Sequence, residues 1–165
     1  MTRRDDAAFS DFVRASSPQL LRIAWLLCGS RAAAEDLVQG SLERVYVVWP
    51  RIQHEAALSY TRRVMVNLHI DTGRRRKREH LTGDVPDLVS PDETGNVVLA
   101  DHLQRALKSL PTRERQCVVL RFHADLSEAD VAELLRISTG TVKSSTSRGL
   151  AKLRNALVLE GEHHV

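Results

Sequence analysis

Apolar side chains recur at every third or fourth position along most of this chain, which is the spacing of amphipathic α-helices. The stretch 30–50 shows it clearly, because Leu37 and Val45 fall on one face of a helix and polar residues fall on the other. No stretch shows the strict alternation of apolar and polar residues that is typical of a half-buried strand. The sequence therefore predicts an all-α protein.

Breaks in the apolar spacing set the ends of the predicted helices. Gly29 suits a helix end and Ser30 the start of the next helix, and Pro111 ends the helix before it. The predicted helices are 9–28 with an interruption near Pro18, 32–48, 56–78, 97–110, 112–123, one that opens at Ser127, and one from about 141 to 157. Phe122 and Leu157 are both assigned to apolar, inward-turned faces of these helices.

Charged residues are unevenly distributed along the chain. Residues 1–78 contain 14 Lys and Arg against 8 Asp and Glu, residues 79–101 contain 6 acidic residues and no Lys or Arg, and residues 102–165 contain 10 basic against 7 acidic residues. Two basic segments around an acidic one are typical of nucleic-acid-facing domains joined by a tether. Solvated helix faces that merely differ in charge are the alternative.

The predicted organisation is two small helical domains joined by a flexible acidic linker. Residues 79–96 form the linker, because they contain two prolines and five acidic residues and have only a weak apolar spacing. The domains are residues 1–78 and 97–157, and residues 158–165 form a tail.

Several classes of protein are not favoured by these residues. No apolar run approaches the roughly 20 residues that span a bilayer, and Asp5 and Asp6 stand where a secretion signal needs an apolar core. We therefore expect a cytoplasmic protein with no membrane insertion. The seven histidines form no spaced pair of metal ligands, and there is no glycine-rich phosphate loop or glycine-flanked nucleophile. We expect a protein that is not an enzyme and has no catalytic residues, no metal and no cofactor.

Cys28 and Cys117 are the only cysteines, too few for a disulfide framework or a cysteine-rich zinc site. Each lies in an apolar helical segment, which favours a buried structural thiol. A redox switch between the two is the alternative.

The C-terminal segment reads as two helices joined by a short turn. Ser127 followed by Asp130 is a helix-opening pair, and the turn is predicted at 136–140. This order is typical of a helix-turn-helix, whose second helix enters the DNA major groove. The outward residues near the start of that second helix combine cations with small hydroxyls: Thr141, Lys143, Ser144, Ser147 and Arg148. An ordinary helical hairpin with a solvated basic face is the alternative.

Four segments carry a resemblance to bacterial sigma factors of the sigma-70 family, in the compact extracytoplasmic-function (ECF) group. Resemblance to the promoter minus-thirty-five-binding domain lies in the segments LPTRERQCVVLRF and LSEADVAELLRISTGTVKSSTSRGLAKLR. The core-polymerase-binding helix is resembled by AAEDLVQGSLERVYVVW, and the helix that melts and reads the minus-ten element by YTRRVMVNLHIDTGRRRKRE. The resemblance covers about residues 8–157, and both halves occur in the family's order.

The resemblance implies roles for two sets of residues in the first domain. Docking on core RNA polymerase would use Asp36, Leu37, Gln39, Leu42 and Glu43, although Asp36 is alternatively a solvated helix charge. Leu37, Leu42 and Val45 are expected to be divided between the core and this interface. Contact with the minus-ten DNA would use Arg63, Asn67, Asp71, Arg74 and Arg75. Asn67 would read an extruded base, because an amide offers both a donor and an acceptor. Asp71 would contact a base or pair with a neighbouring arginine, and the loop 49–55 would capture a base.

In the second domain, the resemblance assigns minus-thirty-five contacts to Thr141, Lys143, Ser144, Ser147 and Arg148. We expect Arg148 to read a base and Lys143 to contact mainly phosphate. Many relatives have Arg-Leu where this chain has Ser145 and Thr146, which predicts the loss of one phosphate contact at Ser145.

The function implied is a dissociable sigma subunit that binds core RNA polymerase and directs it to promoter DNA, both duplex and melted. An anti-sigma factor is a further partner that the family allows. A stand-alone helix-turn-helix regulator is the alternative function.

Overall fold

The computed structural model of the chain describes residues 1–81 and 98–162. Within them there are seven α-helices and no strand. The helices are α1 (Arg3–Cys28), α2 (Arg31–Val48), α3 (Ala57–Leu81), α4 (Val98–Lys108), α5 (Thr112–Phe122), α6 (Glu128–Leu135) and α7 (Thr139–Glu162), with short 3-10 turns at Trp49–Arg51 and His54–Ala56 between α2 and α3. They fall into two compact units, α1–α3 and α4–α7. The all-α prediction is confirmed for the described residues.

The predicted linker lies mostly outside the described residues, and only its first residues are visible. Residues 79–81 continue α3, so that helix ends three residues later than predicted. Residues 158–162, predicted as part of the tail, continue α7. The apolar spacing did not register the continuation of α7, because none of residues 158–162 is buried.

Local capping explains the ends of α1 and the start of α2. Thr2 and Asp5 form a capping box at the start of α1: the Asp5 backbone N–H donates to the Thr2 hydroxyl, and the Asp5 carboxylate accepts from the Thr2 backbone N–H. The Thr2 backbone N–H and the Thr2 hydroxyl both donate to the Asp5 carboxylate, and these two hydrogen bonds lower the pKa of the Asp5 carboxyl. Gly29 ends α1 in the left-handed region at φ 77°, and the Ser30 hydroxyl accepts from the Ala33 N–H to cap α2. The predicted junction at 29–30 is confirmed.

The interruption predicted near Pro18 is wrong, because α1 continues through it. A proline inside a helix removes one hydrogen bond and costs about 3 kcal/mol. In the turn before it, the Ser16 and Ser17 hydroxyls donate to the carbonyls of Phe12 and Val13. Both halves of α1 are also held by packing, and we infer that this packing outweighs the cost of the proline.

The N-terminal unit is a three-helix arrangement in which α1 and α2 pack on each other and α2 packs on α3. Its centre is apolar, and each large side chain removed from water contributes roughly 1.5–3 kcal/mol. The largest fully buried side chains here are Leu20, Ile23, Leu26, Leu27, Val45, Met65 and Val66. At the end of α2, Trp49 is buried against Phe9 and Phe12, with ring centroids 5.2 and 5.1 Å apart.

In the C-terminal unit, α7 packs against α4, α5 and α6. Cys117, Val118, Val119 and Leu120 form the buried face of α5, as predicted for Val118 and Val119. Phe122 is 56% exposed, and Leu157 is exposed as well, so both inward assignments are wrong. Phe122 is the last residue of α5, and none of residues 151–162 of α7 is buried, so the helical spacing of apolar residues continues beyond the part of each helix that is buried.

Candidate nucleic-acid and polymerase interfaces

One face of α2 is polar and exposed, opposite the face that packs on α1 and α3. Asp36, Gln39 and Glu43 lie on it, and the Gln39 amide donates to the Glu43 carboxylate at 3.4 Å. Leu42 is half-buried at its edge. Leu37 is only 7% exposed and belongs to the core, so its predicted role as an interface residue does not fit this structure. The reason is its spacing, because Leu37 shares the buried stripe with Ala34, Val38, Ser41 and Val45.

The end of α2 carries two exposed residues that the sequence reasoning missed. Val47 is 78% exposed and Tyr46 is partly exposed. The Tyr46 hydroxyl donates to the Asp6 carboxylate at 3.0 Å, and this hydrogen bond raises the pKa of the tyrosine. The signal was present in the sequence, because the run YVVW places more consecutive apolar residues than one helical stripe can bury.

The residues of α3 expected to contact the minus-ten DNA form an exposed polar stripe. Arg63, Asn67 and Asp71 are exposed and four residues apart, so they share one face of the helix. Arg74 is partly exposed on the same stripe and lies 4.0 Å from the Asp71 carboxylate, a distance at the limit for an ion pair. Arg74 is therefore one of the neighbouring arginines with which Asp71 was expected to pair. Arg75 is exposed one residue further on.

The loop between α2 and α3 is anchored by Trp49. Its indole ring stacks on His54, with centroids 5.4 Å apart and an interplanar angle of 20°. Trp49 is buried, and its ring N–H has no hydrogen-bond partner among the described residues. The buried Trp49 therefore holds the loop in place, and the exposed residues of the loop include Arg51 and Gln53.

The predicted succession of helix, short turn and helix is present in α6 and α7. The Ser127 hydroxyl accepts from the Asp130 N–H and caps α6, and Arg136 ends it in the left-handed region at φ 56°. The Ser138 hydroxyl then accepts from the Thr141 N–H. The turn is therefore only 136–138, and α7 begins at Thr139, two residues earlier than predicted.

The exposed face at the start of α7 is narrower than the predicted set. Lys143, Ser144 and Ser147 are exposed on it, whereas Thr141 is half-buried. Ser145 is 2% exposed and faces the core, and the loss of one phosphate contact at this position stays a prediction. Arg154 is exposed and lies about 20° around the axis from Lys143. The sequence reasoning missed Arg154 because it considered only the first turns of the helix.

Each predicted cation of α7 lies near a carboxylate from an earlier helix. The Lys143 ammonium is 3.7 Å from Glu128 of α6, and the Arg148 Nε is 3.7 Å from Glu114 of α5. The Lys152 ammonium donates to both Glu114 oxygens, at 2.9 and 3.1 Å. The side chain of Glu114 is 10% exposed, so it is a buried carboxylate shared by two cations. The sequence reasoning did not identify Glu114.

The two cysteines differ in their surroundings. Cys117 is buried, as predicted, and burial raises the pKa of its thiol. Cys28 is only partly buried, and its sulfur lies 3.9 Å from Nδ1 of His69. Over residues 1–81 and 98–162, no group of three or more potential metal ligands is found, and no helix is both long and apolar enough to cross a membrane.

Two family models match the chain, one in each unit. The model for sigma-70 region 2 matches residues 12–79, and the model for sigma-70 region 4 matches residues 106–155. These matches include the exposed faces of α2 and α3 in the first unit and of α7 in the second.

The chain is also similar to named proteins over most of its length. It is 38% identical to an RNA polymerase sigma-E factor of Streptomyces coelicolor, over 91% of this chain and 86% of that protein. It is 34% identical to the ECF RNA polymerase sigma factor SigM of Mycobacterium tuberculosis, over 93% of this chain and 79% of that protein. Its fold resembles the sigma factor RpoE of Bartonella quintana, solved in complex with the anti-sigma factor NepR, with a TM-score of 0.63, 25% identity, and coverage of 89% of this chain and 96% of that one. On these similarities, the chain belongs to the sigma-70 family, in the group of ECF RNA polymerase sigma factors.

Proposed function

We propose that this sigma factor binds core RNA polymerase through the exposed face of α2, reads the minus-ten element with α3, and reads the minus-thirty-five element with α7. The observation that carries the proposal is that regions 2 and 4 occur in this order in one chain, each with an exposed polar helix face. A stand-alone helix-turn-helix regulator is not favoured, because such a protein has no use for a region 2. The proposed role is non-enzymatic and is exerted in the cytoplasm, at the chromosome.

Docking on polymerase is assigned to Asp36, Gln39 and Glu43, with Leu42 at the edge of the surface. Their exposure supports this role, and two of the three are acidic, so they suit a basic partner surface. Leu37 would act only by holding α2 in place. Val47 extends the same surface with an apolar side chain, which suits the buried centre of an interface.

Promoter opening is assigned to α3. The exposed amide of Asn67 suits the Watson–Crick edge of a base that has been flipped out of the stack, since it both donates and accepts. Arg63, Arg74 and Arg75 flank it and would hold phosphates, a contact that is independent of sequence and sensitive to salt. Asp71 would keep Arg74 oriented along the helix.

Upstream recognition is assigned to α7. Lys143, Ser144 and Ser147 form the centre of its exposed face, within the first turns, where a recognition helix meets base edges. Small hydroxyl side chains permit close approach to the groove, and both can donate to or accept from a base. Arg148 lies about 140° around the axis from Lys143, at the flank that faces α5, where Glu114 lies 3.7 Å from its Nε. We therefore propose a phosphate contact for Arg148 and a base contact for Lys143, which reverses the division of roles expected from the sequence.

An anti-sigma factor is proposed as a further partner, because the sigma factor RpoE whose fold this chain resembles was solved in complex with one. Such a partner would suppress transcription by covering one of the surfaces described above.

The proposal is tested first on the docking face. Replacing Asp36 and Gln39 together with alanine should weaken binding to core RNA polymerase at least tenfold, with helicity unchanged, because both side chains are exposed and support no core contact. The measurement is a titration of labelled sigma factor with core polymerase, followed by run-off transcription from promoters recovered from genomic fragments. Asp11→Ala, which removes one exposed acidic charge from α1, is the matched control. Parent-like binding by the double variant would mean that the docking surface lies elsewhere.

A further inference from the structure

Glu114 is the most deeply buried carboxylate among the described ion pairs, and it lies between the two cations on one flank of α7. Its oxygens are 2.9 and 3.1 Å from the Lys152 ammonium, and one of them is 3.7 Å from the Arg148 Nε. Arg148 and Lys152 are four residues apart, so they lie one helical turn from each other on the same side of α7. The side chain of Arg148 is 62% exposed, so it lies at the surface and is not enclosed.

Sharing one carboxylate reduces the charge that this flank presents. Arg148 and Lys152 carry two positive charges, and Glu114 leaves a net charge of +1 on the group. The carboxylate is 10% exposed, so solvent and salt screen it less than they would screen an exposed partner. The Lys143–Glu128 contact is also 3.7 Å long, but it is the contrasting case because the Glu128 side chain is 35% exposed and that of Glu114 only 10%. Exposed pairs of that kind contribute little.

We propose that Glu114 is a positioning residue for promoter recognition, which fixes Arg148 on the flank of α7 and limits the attraction of that arginine for DNA phosphate. The inference rests on the proposed role of α7 in binding DNA. Arg148 lies one turn closer than Lys152 to the start of the helix, where the groove is met, so the effect on DNA acts mainly through Arg148. Lys152 serves to keep the carboxylate in place.

The consequence is a bias against binding DNA regardless of sequence. A phosphate group that approaches Arg148 has to compete with a carboxylate that is already in place. Contacts with phosphate supply the sequence-independent part of DNA affinity, whereas contacts with bases supply discrimination. A carboxylate that weakens the phosphate contacts and leaves the base contacts unchanged therefore increases the ratio of specific to non-specific binding.

Glu114→Gln tests this directly, since glutamine keeps the size of the side chain and an oxygen for Lys152 but removes the charge. We expect the full-length chain to bind a fluorescein-labelled duplex of arbitrary sequence more tightly. The slope of log K against log salt concentration should become steeper by about one, the value for one additional phosphate contact. The matched control is Glu133→Gln, which removes one exposed charge from α6 outside the ion pairs described above.

A double-variant comparison assigns the effect. In an Arg148→Ala background, Glu114→Gln should leave the salt slope unchanged, whereas in a Lys152→Gln background the steepening should persist. In holoenzyme, Glu114→Gln should also reduce discrimination between a selected minus-thirty-five sequence and single-base variants of it. Circular dichroism checks that each variant is folded. Glu114→Asp keeps the charge but shortens the side chain by one methylene, so it should steepen the salt slope by a smaller amount than Glu114→Gln does.

Three results would each overturn the inference. The salt slope could be unchanged in folded Glu114→Gln, or it could change only as much as it does in Glu133→Gln. The change could also persist in the Arg148→Ala background. If Glu114→Gln does not fold, an unchanged slope in Glu114→Asp overturns it in the same way. Failure of the proposed function is distinguishable, because it would appear as parent holoenzyme that neither binds nor transcribes the selected promoters.

Discussion

The closest approach of helices α5 and α7 depends on Gly149, and replacing that glycine with alanine tests the packing of the C-terminal unit. A Cβ atom at this position would lie 2.8 Å from Cγ2 of Val118 and 3.2 Å from the backbone oxygen of Glu114. Valine has a stiff side chain and the second atom belongs to the backbone, so neither can move aside without shifting a helix. Gly149→Ala should therefore separate α5 from α7.

The magnitude follows from two opposing contributions. Overpacking a well-packed site costs about 1–3 kcal/mol, and replacing glycine with alanine inside a helix returns about 1 kcal/mol. Because one contact is with backbone, we expect the cost to lie in the upper part of its range. The free energy of unfolding of the C-terminal unit should fall by about 1–2 kcal/mol. Gly73→Ala in α3 is the matched control, because nothing lies within 4 Å of its Cβ and only the gain remains.

The two tryptophans make the assay specific to each unit. Trp25 and Trp49 are the only tryptophans in the chain, and both lie in the N-terminal unit. In urea unfolding, tryptophan fluorescence therefore follows α1–α3, whereas circular dichroism at 222 nm follows both units. Gly149→Ala should lower the midpoint of the transition that only circular dichroism detects, and Gly73→Ala should raise the midpoint detected by fluorescence.

If the free energy of unfolding of the C-terminal unit in Gly149→Ala equals or exceeds that in the parent, the packing argument is refuted. Such a result would mean that α5 and α7 lie farther apart than in the structure. Gly161→Ala, in α7 and also with open space around its Cβ, shows what an added methyl group does in the same helix without the clash.

Two further predictions concern promoter opening and the cysteines. Asn67→Ala should weaken open-complex formation by about 1–3 kcal/mol at one minus-ten base, as measured by permanganate footprinting on matched and base-substituted promoters, and an equal loss on both would make Asn67 structural. In the folded protein, Cys28 should react with a thiol reagent well before Cys117. Cys117 is buried, and the raised pKa of its thiol keeps it protonated as the pH rises through the ordinary cysteine range. Comparable reaction rates at the two cysteines would contradict this.

Features set by local chemistry could be predicted from the sequence. Gly29, Ser30 and Ser127 end or begin helices because of backbone conformation and capping hydrogen bonds, which involve residues within a few positions. The polar stripe that contains Asn67 follows from helical spacing alone. These predictions needed no knowledge of how the helices pack.

Features set by packing could not be predicted in this way. Helical spacing indicates which residues share a face, but it does not indicate how far the neighbouring helices extend along that face. That is why Phe122 and Leu157 were placed in the core. The partner of Arg148 was missed for a related reason, because Glu114 lies on a different helix and only the packing of α5 against α7 brings the two together.

The length of α7 has a mechanical consequence. Its 24 residues form one continuous helix of about 36 Å, with the residues proposed to contact DNA near one end and the exposed Leu157, Val158 and Leu159 near the other. His102 of α4 is hydrogen-bonded to Glu160 in the last turns. Because α7 is one continuous helix, we expect a partner that displaces its last turns to move its first turns as well, without itself touching the promoter.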